Sequence, residues 1–289
     1  MVINMKQKFF DEIYGNYTLS CYAGTIYSSK DDFYFLKKYN AYSCDCIDEK
    51  RPAFYFENKE SKNLRFLNRF FGIDEIMGNG SELENLSRLK KWANIYFHFN
   101  GKRLPGRIYD GVSCVDLVNK AKNDGYALNC RYISLAFTQI LLSAGFCARW
   151  VICNSMDLRD EECHCVTEVY VNQLGKWIVV DPSFGLFYFN KNGELLSLIE
   201  MRKMIAEGEK IRFYSNSVEN TKTLQLYWLK NIFRFSFCLS NTINMLCTSH
   251  IEYACLNPEG FKMEDRTIIT PIGKVSYKYY YNDRLFTGR

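Results

Sequence analysis

The sequence predicts an α+β fold in which one buried helix packs on an antiparallel sheet. Two observations carry this. From Asn129 a nearly all-apolar segment runs through Ile133, Leu135, Ala136, Phe137, Ile140, Leu141, Leu142 and Ala144, and a helix apolar on most sides is buried on most sides. Downstream, His164 to Val171 and Lys176 to Asp181 are strand-like runs joined by Asn172-Gln173-Leu174-Gly175, a hairpin-sized turn.

The 289 residues are 47% hydrophobic and 16% aromatic with only 5 Pro, so the chain can bury a sizeable core and has no long disordered linker. Its formal charge of +5 is too small an excess to imply a nucleic-acid or anionic-membrane partner. The densest basic stretch, Lys90-Lys91, reads as the solvated face of a helix. Met1 to Phe10 lacks the apolar stretch and cleavage site of a signal peptide, and the longest apolar run, Tyr132 to Ala148, is too short to span a bilayer. Twelve Cys in such a chain are expected to be mostly reduced, which makes the expected compartment cytoplasmic.

Three segments are expected. Residues 1–70 form a mixed segment that packs on the core, with Tyr17 to Tyr22 and Asp32 to Leu36 strand-like and Lys59 to Asn63 a polar break. Residues 71–210 form the core. There Gly78-Asn79-Gly80-Ser81 marks a loop, and Ser81 with Glu84 has capping-box spacing ahead of Leu83, Leu86, Leu89, Trp92, Ala93 and Tyr96 at helical intervals. Asn100 to Gly111 reads as a loop, Ser113 to Asn123 as a helix, and Gly145 as the stop of the buried helix. Phe146 to Cys153 is a strand candidate, Asn154 to Glu162 a polar acidic loop, and Leu195 to Ala206 a helix. Residues 211–289 are an α/β extension completing the sheet, with Leu224 to Arg234 helical and Ile251 to Leu256 and Lys274 to Tyr281 extended.

Three residues on these elements make a candidate catalytic set. Cys130 follows Asn129, a good N-cap residue, and opens the buried helix, where the partial positive charge of a helix N-terminus stabilises a thiolate. His164 opens a strand just after a polar loop and is the candidate base. The other two histidines, His98 in an aromatic run and His250 ahead of an apolar strand, read as structural. Asp181 ends the partner strand, and antiparallel pairing about Gln173-Leu174 brings it toward the His164 end, where it can orient the imidazole.

These stretches resemble the transglutaminase-like superfamily. Asn129-Cys130 opens a helix, Gly145-Phe146-Cys147-Ala148-Arg149 matches a Gly-x-x-Ala-Arg turn into a strand, and His164 to Tyr170 matches His-x-x-x-Glu-Val-Tyr. Lys176 to Pro182 matches Trp-x-x-x-Asp-Pro, in the family's order and rough spacing. The family's commoner Gly-x-Cys is replaced by Leu128-Asn129-Cys130. The resemblance implies a papain-like core whose Cys130-His164-Asp181 triad serves acyl transfer or hydrolysis at an amide bond of a protein or peptide, without cofactor or metal. Cross-linking, deamidation, proteolysis and peptide-glycan cleavage all remain open. Two other readings are a catalytically silent papain-like binding module and a structural zinc site at Cys163-His164-Cys165 or Cys44-x-Cys46. The zinc spacing is not the usual Cys-x-x-Cys, and neighbouring residues on a strand point to opposite faces.

Overall fold

The structure, a computed structural model, describes residues 18–20, 26–43, 50–97, 99, 113–124, 128–160, 162–213, 219–245, 249–270 and 273–288. The expected loop from Asn100 to Gly111, His98 and the Cys44-x-Cys46 pair lie outside the described residues.

An eight-stranded sheet organises the molecule. Its central hairpin is β5 (Cys163–Val171) and β6 (Lys176–Asp181), closed by the 172–175 turn with Val171 opposite Lys176. Beside β5 lies β4 (Cys147–Asn154), then β8 (Arg234–Cys238), β10 (His250–Leu256), β12 (Gly273–Tyr280) and β11 (Arg266–Thr270), with the short β7 (Leu186–Phe187) on the far edge next to β6. All these neighbours are antiparallel except β10 and β12. Two pairs stand apart: β1 (Thr18–Ser20) with β2 (Ile26–Ser28), and β3 (Tyr55–Phe56) with β9 (Ser240–Asn241).

The buried helix is α6 (Cys130–Ser143), and every residue from Ile133 to Ser143 is buried. Asn129 caps it, its side-chain oxygen accepting the Tyr132 N–H at 3.2 Å, and Gly145 leaves it at φ +88°. Hydroxyls seat the helix on β5. Ser134 Oγ donates to the Cys165 carbonyl at 2.6 Å, and Thr167 Oγ1 donates to the Ser134 carbonyl at 3.1 Å. Gln139 ties α6 to α5 (Cys114–Asp124) by accepting the Cys114 N–H, and donates to the Ile243 carbonyl. Preceding these, α4 (Glu82–Tyr96) carries the capping box of Ser81 and Glu84.

Four expectations are corrected. Asp32 to Leu36 lies within a helix, α1 (Ser29–Lys38), not a strand; Asp31 and Asp32 in its first turn and Lys37 and Lys38 in its last complement the helix dipole, and Leu36 is buried against the core. The polar break expected over Lys59 to Asn63 is a turn only through 61, because Ser61 Oγ accepts the Leu64 N–H and opens α2 (Lys62–Phe71), followed by α3 (Ile73–Met77). The predicted helix over Leu224 to Arg234 is α8 (Glu219–Asn231), and Arg234 already belongs to a strand. Lys90 is not simply solvated: its ammonium reaches the Gly185 carbonyl at 2.5 Å and sits 4.6 Å over the Phe187 ring. The helix expected over Leu195 to Ala206 is α7 (Leu198–Ala206), and a short α9 (Arg284–Thr287) ends the described chain. Among the described residues no helix is long and apolar enough to cross a membrane.

Candidate active site

Residues opposite one another in a sheet share a face, so the register sorts the hairpin into two surfaces. Val169, Val171, Ile178 and Val180 pack with Ile133, Ala136 and Phe137 of α6. On that same face of β5 lie Cys163 and Cys165. The opposite face holds His164, Val166 and Glu168 of β5 with Asp181 and Val179 of β6. The helix bearing Cys130 and the strands bearing His164 and Asp181 therefore meet at the end of the sheet rather than across it. There the Cys130 thiol lies 3.8 Å from the Cys163 carbonyl oxygen.

His164 and Asp181 are joined directly, with Nε2 2.7 Å from Oδ2 and both side chains fully buried. In the register Val180 faces Thr167, which puts Asp181 two residues short of His164 along the partner strand, a diagonal distance these side chains close. The carboxylate is fully engaged. Tyr188 Oη donates to Oδ2 at 2.9 Å, while the backbone N–H groups of Ser183 and Phe184 donate to Oδ1 at 3.1 and 3.4 Å. The turn that supplies those N–H groups is fixed from α4, since Asn94 Nδ2 donates to the Ser183 carbonyl at 3.2 Å. Gly185, at φ +66°, lets this turn press on Asn94, whose Cγ would stand 2.7 Å from any added Cβ.

With Nε2 committed to Asp181, Nδ1 is the ring nitrogen left for the thiol; it is buried and has no hydrogen-bond partner among the described residues. Aromatic side chains hold the ring. Tyr227 and Trp228 of α8 meet it edge-on at 5.1 and 5.2 Å, and Phe184 lies 5.7 Å away. Tyr227 Oη also donates to the Cys163 carbonyl at 3.4 Å. The electrostatics follow. Burial opposes a charge on His164, but the Asp181 carboxylate, by charge and hydrogen bond, outweighs it together with Cys130 and pushes the imidazole up to about 10. Hydrogen bonding from the Cys165 thiol holds the Cys130 thiol well below its usual value against the effect of burial, with the nearby His164 imidazole adding to it. The resting state this favours is a thiolate beside an imidazolium.

Phe184 and Tyr188 touch His164 and Asp181. In the polar acidic loop Asp160, 3% exposed, and Glu162 pair with the buried Lys230 of α8 at 2.9 and 2.8 Å, which fastens the approach to β5 onto the helix covering His164. His250 lies far along the sheet, bonded to Ser276 at 2.8 Å. Tyr188, Tyr227 and Trp228 escaped sequence reasoning, because nothing local marks a tyrosine seven residues past an aspartate, or an aromatic pair on a C-terminal helix, as neighbours of a histidine. Behind the site Arg149 and Glu168 form a buried pair at 2.6 Å, with the guanidinium 4.0 Å over Trp177 and Glu168 Oε1 accepting the Leu198 N–H at the start of α7.

Comparison with known proteins places the site in context. Residues 73–182 match the family model of the Transglutaminase-like superfamily, a span that contains Cys130, His164 and Asp181. No curated protein matches the chain in sequence. Among solved structures, the chain is similar to a candidate cysteine protease from Cytophaga hutchinsonii, at 15% identity and a TM-score of 0.32 over 60% of this chain and 56% of that one. It is also similar to Rad4-Rad23 bound to a 6-4 photoproduct UV lesion, at 13% identity and a TM-score of 0.31, covering 82% of this chain and 47% of that one. The chain thus spans about half the length of each of these structures.

Proposed function

We propose that this chain is a cytoplasmic cysteine-dependent enzyme that transfers or hydrolyses an acyl group at an amide bond of a protein or peptide, with Cys130 as nucleophile, His164 as base and Asp181 as orienting acid. One observation carries the reading: the thiol that opens α6 lies 3.8 Å from the Cys163 carbonyl, and the next residue is an imidazole whose far nitrogen is 2.7 Å from a buried carboxylate. In the proposed cycle the Cys130 thiolate attacks the amide carbonyl carbon. The backbone N–H of Cys130, at the open end of α6, stabilises the oxyanion. As the C–N bond breaks, the His164 imidazolium gives its proton to the leaving amine and a thioester remains. His164 then takes a proton from water or an incoming amine, which attacks the thioester and restores the thiolate. Asp181 holds the ring so that Nδ1 addresses the sulfur throughout.

The full burial of His164 beneath Tyr227 and Trp228 favours a second reading, a papain-like binding module that performs no turnover. Under the enzymatic reading the substrate approaches over Cys130, which is only half-buried. Labelling with a thiol-reactive acyl probe, followed by mapping of the modified residue, separates the two. Cys130 is expected to react first among the twelve cysteines and labelling to vanish in Cys130→Ala. A Cys130 that reacts no faster than the median cysteine removes the nucleophile. Parallel assays of ammonia release, amine incorporation and peptide-bond cleavage on a casein substrate then identify the acceptor.

A further inference from the structure

The sheet face beside the N-terminus of α6 continues past the helix over β8, β10, β12 and β11, running from the buried Trp150, Cys238 and Tyr253 to the half-buried Tyr277 and the exposed Arg266. The cross-strand row Arg234–Asn154–Cys163 places an arginine two strands from the thiols, about 10 Å at ordinary strand spacing. A parallel row carries Arg266, Tyr277, Tyr253, Cys238 and Trp150 on the same face. Tyr253 and Tyr277 stack at 5.3 Å, Arg266 lies 5.1 Å over Tyr277, and Arg131, the residue after the candidate nucleophile, lies 5.7 Å over Trp150. Arg131 and Arg266 are exposed and Arg234 is half-buried.

None of these three arginines forms an ion pair among the described residues. The polar partner recorded for them is the Ser155 carbonyl, which accepts from Arg234 Nε at 3.1 Å. Asp265, next to Arg266, spends one carboxylate oxygen on the Tyr279 N–H at 2.8 Å. Arg131 and Arg234 both act on Cys163, and Arg234 and Arg266 are close enough to repel one another. The rings and the Ser155 carbonyl hold these guanidinium groups in place, but none of the groups has its charge paired with a carboxylate among the described residues. An arriving anion supplies the missing partner, and guanidinium groups over aromatic rings match a carboxylate in both geometry and charge.

We infer that Arg131 and Arg234 form a recognition rim for the acyl substrate, extended toward the sheet edge by Arg266, and that this rim selects an acidic peptide with carboxylates running outward from the reacting amide. This rests on Cys130 being the nucleophile, and the test keeps the two apart. Cys130 is alkylated in the intact protein with iodoacetate, an anion, and iodoacetamide, its neutral analogue. The rate ratio of the two reagents is expected to exceed that of cysteines in the denatured chain by roughly tenfold. About 1 M KCl, where the screening length is about 3 Å, should abolish most of the excess. His164 contributes to the ratio in every variant, so the fall from wild type in Arg131→Gln, and separately in Arg234→Gln two strands from the thiols, isolates the arginines. A threefold or greater fall in each is expected. A glutamate-rich hexapeptide amide should slow iodoacetamide labelling of Cys130, and its lysine-rich counterpart should not. An unchanged ratio in both variants, or equal protection by both peptides, overturns the rim and leaves the nucleophile standing. A Cys130 unreactive toward both reagents overturns the nucleophile itself.

Discussion

The two faces of the β5–β6 hairpin are stabilised by different physics. Against α6 the contacts are Val169, Val171, Ile178 and Val180, sealed with short hydroxyls such as Ser134 and Thr167 that carry no net charge. The opposite face buries Arg149, Glu168, His164 and Asp181, each 0% or 1% exposed, and depends on charges neutralised in pairs. On the first face a substitution is judged by volume; on the second it is judged by which partner it strands. Reactive chemistry fits the second face, because the low dielectric that makes an unpaired charge expensive also strengthens the coupling between His164 and Asp181.

The sharpest way to break this contrast is Arg149→Met, which leaves Glu168 as a buried anion and is expected to cost about 3–5 kcal/mol in urea unfolding. Adding Glu168→Gln should recover part of that loss, since the two residues act as one unit. No recovery would mean that the pair contributes through packing on Trp177 rather than through charge.

Next comes Asp181→Asn, expected to leave the fold intact and to return Cys130 toward an ordinary thiol. With the usual value of 9.0 the thiolate fraction at pH 7 is about 1%, so iodoacetamide labelling should slow about 100-fold. Unchanged labelling in a folded Asp181→Asn protein would leave a Cys–His pair in which Asp181 serves the turn only.

Stability against pH tests the same pair with the sign fixed by both shifts. The His164 contribution, from a raised value, is complete below the usual 6.5 and is lost as pH rises to about 10. The Cys130 contribution, from a lowered value, is complete above the usual 9.0 and is lost as pH falls through its lowered folded value. Together they give a Tm plateau between about 6.5 and 9, falling on either side. Cys130→Ala should replace the plateau with a decline that already begins above about 6.5. A plateau that persists in Cys130→Ala rules out the ion pair.

Two smaller effects complete the contrast. Tyr188→Phe removes one donor from Asp181 Oδ2, making the carboxylate a stronger partner for His164 and raising the alkaline limb of the Cys130 labelling profile by roughly half a unit to one unit. A drop in Tm with no movement of that limb would make Tyr188 structural. Ile178→Val on the α6 face should cost about 0.5–1.5 kcal/mol and leave the labelling profile in place.

Much of the arrangement is determined by local sequence. Asn129 and the apolar run that follows specify a capped, buried helix opening at Cys130, and the 172–175 turn specifies the pairing that carries Asp181 toward His164. Ser81 and Glu84 likewise announce α4. Each depends on residues within one turn of helix or one hairpin, where periodicity and capping chemistry act directly. Tertiary structure decided the rest. Asp32 to Leu36 has strand-like aromatics but lies in α1, because Leu36 buries in the core while Asp31, Lys37 and Lys38 at the helix ends are exposed. The environment of His164 comes from Phe184, Tyr188, Tyr227 and Trp228, up to 64 residues away on separate elements. The meeting of Cys130 with the start of β5 likewise depends on α6 beginning where β5 begins, on the opposite face of the sheet from His164. Spacing along a chain encodes which way a side chain points from its own element. It does not encode which distant element covers that side chain, since that is settled by packing whole surfaces against one another.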